Sequence, residues 1–225
     1  MDNRDVKIKP VFIFDFDGTF YTGRDIFCDL EDFMDKHRRG VLASITNKQY
    51  KEILSAYPEW NDIHEGATLV EYIYMFKKKY PNYNITIKDY LKWQYKHLEP
   101  VNLKSAKFVD LKFLESLCNN YRVYVVSNSC KNHILYYMKK IGINPKWFVK
   151  IISNKFTAKD KTKMHYYKKI LDDECCKPYN AYVFGDNVNN DLVPAVNLGI
   201  NSYYINDAEE INLFVEDILK KYQKN

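Results

Sequence analysis

The segment VFIFDFDGTFYTG sets four consecutive apolar residues, Val11 to Phe14, directly against two carboxylates, Asp15 and Asp17, with Gly18 and Thr19 next in line. The run is too short for an ordinary helix and apolar on both faces, which is the pattern of a strand buried inside a parallel sheet. Such a strand needs neighbours on both edges and covering layers above and below. The runs from Tyr121 to Val126 and from Ala181 to Phe184 can supply the neighbours, with Phe148 to Ile152 and Ser202 to Ile205 as weaker candidates. Helical patterns fall between them, at Ile134 to Ile141, Lys163 to Leu171 and Asp191 to Leu198. A tail from Asp207 to Tyr222 is amphipathic, with Asp207 and Glu210 at capping-box spacing. Strand and helix in alternation predict an α/β fold with a doubly wound parallel sheet.

The stretch from Arg24 to Pro100 breaks this rhythm. Strand-like runs give way to helical patterns rich in Tyr, Lys and Glu, interrupted near Pro58, Pro81 and Pro100. The expected organisation is a core of residues 1–23 and 101–225 with a smaller, mostly helical domain at 24–100. Its aromatic residues, among them Trp60, Tyr72 and Trp93, are expected mainly in that domain's own core.

The strand ends carry the chemistry. In open α/β sheets, ligands bind outside the carboxyl ends of the strands, and the first strand delivers Asp15 and Asp17 there. Residues two apart on a strand face the same way, so both carboxylates are expected in one crevice, where a cation such as magnesium would relieve their repulsion. A second strand ends in Ser127-Asn128-Ser129, short donors suited to a phosphoryl oxygen. Lys155, Lys159, Lys161 and Lys163 lie ahead of a helix, where one could neutralise phosphate. A fourth segment, YVFGDNVNND, ends a strand in Gly185-Asp186 with Asp191 five positions on, adding oxygen ligands of the kind magnesium prefers.

Composition narrows the function class. A net charge of +5 over 225 residues suits an anionic small molecule and lacks the basic density of a nucleic-acid binder, so nucleic acid is not expected as a partner. Five cysteines without paired CxxC spacing suggest neither a disulfide framework nor a zinc site, and a reducing cytoplasm is the expected location. The charged N-terminus and the lack of a long apolar run give no expectation of a membrane partner. The five histidines have no ligand-like spacing and are expected as surface or partly packed residues.

Taken in order, the four motifs resemble those of the haloacid dehalogenase superfamily, a group of hydrolases most of which are phosphatases. The resemblance runs from Val11 to about Gly199. A helical insertion between the first and second motifs also resembles one class of this superfamily, in which a cap domain sits there. The resemblance implies a magnesium-dependent phosphatase acting on a small phosphomonoester such as a nucleotide or sugar phosphate.

It also implies roles. Asp15 resembles the nucleophile that forms an aspartyl-phosphate, and Asp17 the general acid/base. Gly18, Thr19, Ser127 and Asn128 would bind the phosphoryl group. The Asp15 carboxylate, the Asp17 carbonyl and Asp186 would hold magnesium, with Asp191 supporting the metal's water shell or orienting the motif lysine. Among the lysines, Lys161 fits the family spacing best, with Tyr167 and Leu171 placed as an aromatic and a leucine, although Thr162 stands where a proline often follows. A phosphosugar mutase keeps the same motifs, and a binding module retaining the fold is the non-enzymatic alternative. A monomer or homodimer is expected.

Overall fold

The computed structural model describes residues 9–23, Ile26, 101–153 and 163–223 of the protein. The chain divides into two compact units, one formed by Met1–Ile26 with Leu103–Asn225 and the other by Phe27–Asn102. The helical domain expected at 24–100 lies outside the described residues, Ile26 apart, and so do the aromatic residues noted there.

Five parallel strands build the first unit: β1 (Val11–Phe14), β4 (Arg122–Ser127), β5 (Lys150–Ser153), β6 (Ala181–Gly185) and β7 (Asn201–Tyr204), in the order β5-β4-β1-β6-β7. The α/β doubly wound parallel sheet read from the sequence is therefore present. A short antiparallel pair, β2 (Tyr21–Thr22) with β3 (Lys107–Phe108), stands apart from the sheet. The helices are α1 (Leu111–Asn120), α2 (Lys131–Ile141), α3 (Met164–Asp173), the short α4 (Val193–Val196) and α5 (Glu210–Gln223).

The period of two along β1 sorts its side chains onto two faces. Val11 and Ile13 join Tyr124, Val126 and Val183 in a buried cluster closed by Tyr167, Ile170 and Leu171 of α3 and by Ala195 of α4. Phe12 and Phe14 face the other way, into an aromatic layer. Phe14 stacks on its register partner Phe184 at 4.7 Å, Phe184 on Tyr203 at 5.1 Å, and Tyr203 meets Phe214 of α5 at 5.4 Å. Each of these rings is worth about 1.5–3 kcal/mol on full burial, and β1 carries none of its apolar side chains exposed. The central strand is thus fixed from both sides, and with it the position of the residue that follows.

Three of the element boundaries that differ from the sequence reading have a local cause. Tyr121 accepts the role of C-cap to α1, a helix the apolar pattern did not announce, and β4 begins one residue later. Strand β5 starts at Lys150, because Pro145–Trp147 forms a 3-10 turn just before it. The helix expected at Asp191–Leu198 is a π-helical turn, Val188–Leu192, leading into the four-residue α4, whose second residue is Pro194. Among the described residues, no helix is long and apolar enough to cross a membrane.

Candidate active site

The strand order dictates where a crevice opens. From β1 the chain proceeds to β4 and β5 on one side of the sheet; from β6 it proceeds to β7 on the other. The carboxyl ends of β1 and β6, adjacent in the sheet, therefore flank the switch point where loops part in opposite directions. Asp15 and Asp186 are the first residues past those two ends.

Asp15 continues the β1 ladder by donating its N–H to the Phe184 carbonyl at 2.8 Å. It follows Val11 and Ile13 in the odd-numbered series, which faces α3 and α4. There it meets Lys163, at the N-cap of α3, whose Nζ lies 2.6 Å from Asp15 Oδ1 and 2.5 Å from Asp191 Oδ1. Lys163 is 2% exposed and Asp191 1%. Asp191 is oriented from its other side too, where its Oδ2 accepts the Asn187 N–H at 3.0 Å within the π-helical turn.

Two glycines make room for this arrangement. Gly185 is the odd-series residue of β6; a Cβ built on it would lie 2.4 Å from Asp191 Oδ2. Gly18 has φ +72°, and a Cβ there would lie 2.1 Å from Asp186 Oδ2. Each glycine thus yields its side-chain space to a carboxylate.

Asp15, Asp186 and Asp191 place one oxygen each within 4.8 Å of one another. Three carboxylates against the single ammonium of Lys163 leave two negative charges, the complement of a divalent cation. Burial, with Asp191 and Asp186 adding to it, pushes the Asp15 carboxyl up to about 8 despite the opposing pull of Lys163. Burial and then Asp191 push Asp186 up to about 6. Burial disfavours the Lys163 ammonium, but Asp15 and Asp191 outweigh it and hold the lysine above its ordinary value, so it stays charged. A cluster of three carboxylate oxygens set this close together fits a hard divalent cation.

Asp17 does not share this cluster. The strand ends at Phe14 and residues beyond it turn, with the Thr19 and Phe20 N–H groups both donating to the Phe16 carbonyl, so the period of two no longer applies. The Asp17 carboxylate instead accepts from the hydroxyls of Tyr21, on Oδ1, and Ser129, on Oδ2, while His133 Nε2 lies 2.8 Å from Oδ1. Burial pushes this carboxyl up, but His133 and the hydroxyl donors outweigh it and hold it below the usual carboxylate range.

Of the other residues singled out in sequence, Ser127 closes β4, is 2% exposed and accepts the Ser129 N–H on Oγ at 3.1 Å. Thr19 is fully buried and Asn128 half-buried beside the same strand ends. Lys161 lies outside the described residues; the ammonium at Asp15 belongs to Lys163, two positions on. Sequence reading missed His133 and Tyr21. Nothing local in the sequence signals His133, which sits 116 residues from the carboxylate it meets, whereas Tyr21 lies only four residues from Asp17, inside the first motif.

Comparisons with known proteins agree with the fold. Residues 9–199 match the family model described as haloacid dehalogenase-like hydrolase. A phosphatase of this superfamily from Thermococcus onnurineus superimposes with a TM-score of 0.55 at 16% identity, covering 94% of this chain and 98% of that one. A haloacid dehalogenase-like family hydrolase from Xanthomonas campestris gives 0.54 at 13% identity, covering 96% and 99%. A candidate beta-phosphoglucomutase from Thermotoga maritima gives 0.51 at 15% identity, covering 93% and 99%. At these identities the structural likeness speaks to the fold. No curated protein sequence matches. With the family model spanning most of the chain and the fold in agreement, the protein belongs to the haloacid dehalogenase-like hydrolases.

Proposed function

We propose that the protein is a magnesium-dependent phosphatase that hydrolyses a small phosphomonoester through an aspartyl-phosphate on Asp15. The observation that carries this reading is the triad of Asp15, Lys163 and Asp191, with Asp186 close by, at the carboxyl ends of the two central strands. Lys163 replaces Lys161 in this assignment.

Each side chain then has a task. A carboxylate approaching a phosphate dianion meets like charge, and the Lys163 ammonium, fixed by two carboxylates, offsets that repulsion where it is greatest. Asp191 and the Asn187 N–H keep Lys163 aimed at Asp15. Asp15 attacks phosphorus to give the aspartyl-phosphate, which water then hydrolyses. Asp17 gives a proton to the leaving oxygen and takes one from the attacking water. Ser127 and Asn128, ending β4, are the donors assigned to the phosphoryl oxygens, with Gly18 and Thr19 shaping the turn opposite. The Asp15 and Asp186 carboxylates and the Asp17 carbonyl would hold magnesium, which when bound supplies charge neutralisation for the transferring phosphoryl group.

The test is phosphate release from a panel of nucleotides and sugar phosphates, with magnesium and with excess chelator. Release that chelator abolishes and magnesium restores supports the reading. Isomerised sugar phosphate without free phosphate would indicate a mutase instead. No release from any member, combined with salt-dependent binding of oligonucleotides, would favour a binding module.

A further inference from the structure

The carboxylate read as the acid/base is held by Tyr21 and Ser129 from two of the motifs and by His133, which the motifs do not include. His133, in the first turn of α2, is 3% exposed and brings Nε2 to 2.8 Å from Asp17 Oδ1. Its ring is itself fixed. Tyr137, one turn along the same helix, packs on it at 4.7 Å between centroids, and Phe16 meets it edge-on at 6.5 Å. The Tyr21 hydroxyl, on a ring that is fully buried, donates to the same Asp17 oxygen, and the Ser129 hydroxyl donates to the other.

We propose that His133 is a positioning residue for the acid/base of the reaction: with Tyr21 it anchors Oδ1 of Asp17 and so presents Oδ2 toward the leaving group. This rests on the reading of Asp17 as acid/base. The asymmetry of the partners is what distinguishes the two oxygens. Oδ1 faces the Tyr21 phenolic hydroxyl, a donor, and the His133 ring nitrogen, which donates when the imidazole carries its proton on Nε2; both are held by packed aromatic side chains. Oδ2 faces the Ser129 hydroxyl, which can rotate and can accept as readily as donate. A proton on Oδ2 therefore costs no fixed hydrogen bond, whereas a proton on Oδ1 would displace two. In the first step the proton leaves Asp17 Oδ2 for the ester oxygen as the phosphorus–oxygen bond breaks and Asp15 takes the phosphoryl group. In the second step the same oxygen takes a proton from the water that attacks phosphorus, as the bond from Asp15 to phosphorus breaks and phosphate leaves with the carboxylate restored.

A residue acting through leaving-group protonation has a signature that a purely structural residue lacks. Phenyl phosphate departs as an alcohol with pKa about 10, like that of tyrosine, and needs the proton. Para-nitrophenyl phosphate departs as a stabilised anion of nearly the same shape and needs it far less. The quantity to measure is kcat/KM for the two esters, which reports the steps up to phosphoryl transfer to Asp15. His133→Phe keeps the ring's bulk without a donor, and His133→Gln keeps a donor at the position of Nε2.

The expected result is that His133→Phe loses at least about tenfold more on phenyl phosphate than on para-nitrophenyl phosphate, within the range that general acid catalysis supplies. His133→Gln should restore most of the difference. Because both esters are measured on one preparation, a partly folded variant scales both alike and leaves their ratio intact; should His133→Phe fail to fold, His133→Ala is read by the same ratio. An unchanged ratio in a variant that has lost activity overturns the positioning role. The reading beneath it fails separately, if Asp15→Asn releases phosphate from para-nitrophenyl phosphate as the unaltered protein does.

Discussion

Lys163 sets its Nζ 2.6 Å from Oδ1 of Asp15, joining residues 148 positions apart across the carboxyl edge of the sheet. Both are buried, and the same ammonium reaches Asp191, so removing the lysine leaves two carboxylates facing each other without their cation. Lys163→Met is expected to lower kcat/KM by about 10²-fold or more, while Lys161→Met changes it by less than about threefold. Steady-state phosphate release of the two variants side by side checks this. A larger loss at Lys161 would return the motif lysine to the position that family spacing suggested.

The second prediction concerns the two glycines. Gly18→Ala would drive a methyl carbon to 2.1 Å from Asp186 Oδ2, at a φ of +72° that side chains rarely adopt. Gly185→Ala would bring one to 2.4 Å from Asp191 Oδ2. Asp186 and Asp191 are short side chains that cannot swing clear without leaving their places. Both variants should raise the magnesium concentration needed for half-maximal activity by about tenfold or more, and Gly18→Ala should cost about 1–3 kcal/mol of stability from its backbone. Magnesium titration of activity and thermal denaturation are the measurements; a variant within twofold of the parent in magnesium requirement would show that the carboxylate positions are not critical.

A third prediction lies away from the site, at the opposite end of β4. Arg122 grips Glu174 with Nε at 3.0 Å from both carboxylate oxygens and Nη2 at 2.8 Å from Oε1, and the Tyr124 hydroxyl also donates to Oε1. Burial nudges the Glu174 carboxyl up, but Arg122 and Tyr124 outweigh it and hold it below its ordinary value. A carboxyl depressed on folding contributes stability above its unfolded pKa of about 4.3 and loses it as pH falls through the lower folded value. Since Arg122 is half exposed, the pair is worth only about 0.5–1 kcal/mol. Urea denaturation should find Glu174→Gln destabilised by that amount at pH 7, with the difference fading as pH falls below the unfolded value of about 4.3 and on through the lower folded one. A constant difference over that range would mean that packing, not charge, carries the effect.

The fold was legible because β1, β4 and β6 are unbroken apolar runs, and a strand buried on both faces has little alternative. Boundaries were less so. The π-helical turn at Val188–Leu192 reads as ordinary helix in a one-dimensional pattern, because the Asn187 side chain and the Asp191 carboxylate that shape it act through space. The same limit explains the site. Asp15 and Asp186 stand next to strand ends, with Asp191 in the turn that follows β6, and could be read from position alone. Asp17 appeared to be their companion only while the strand was extended past Phe14, and the turn there sends its carboxylate to Tyr21, Ser129 and His133. Lys163 and His133 reach the site from the starts of separate helices, a relation that spacing along the chain does not encode.

The proposed chemistry turns on Asp15 accepting the phosphoryl group. Phosphate release by Asp15→Asn in saturating magnesium tests it most directly, with circular dichroism confirming the fold. A loss of at least about 10³-fold is expected, since the amide cannot form the acyl phosphate. Release within about tenfold of the unaltered protein would contradict it.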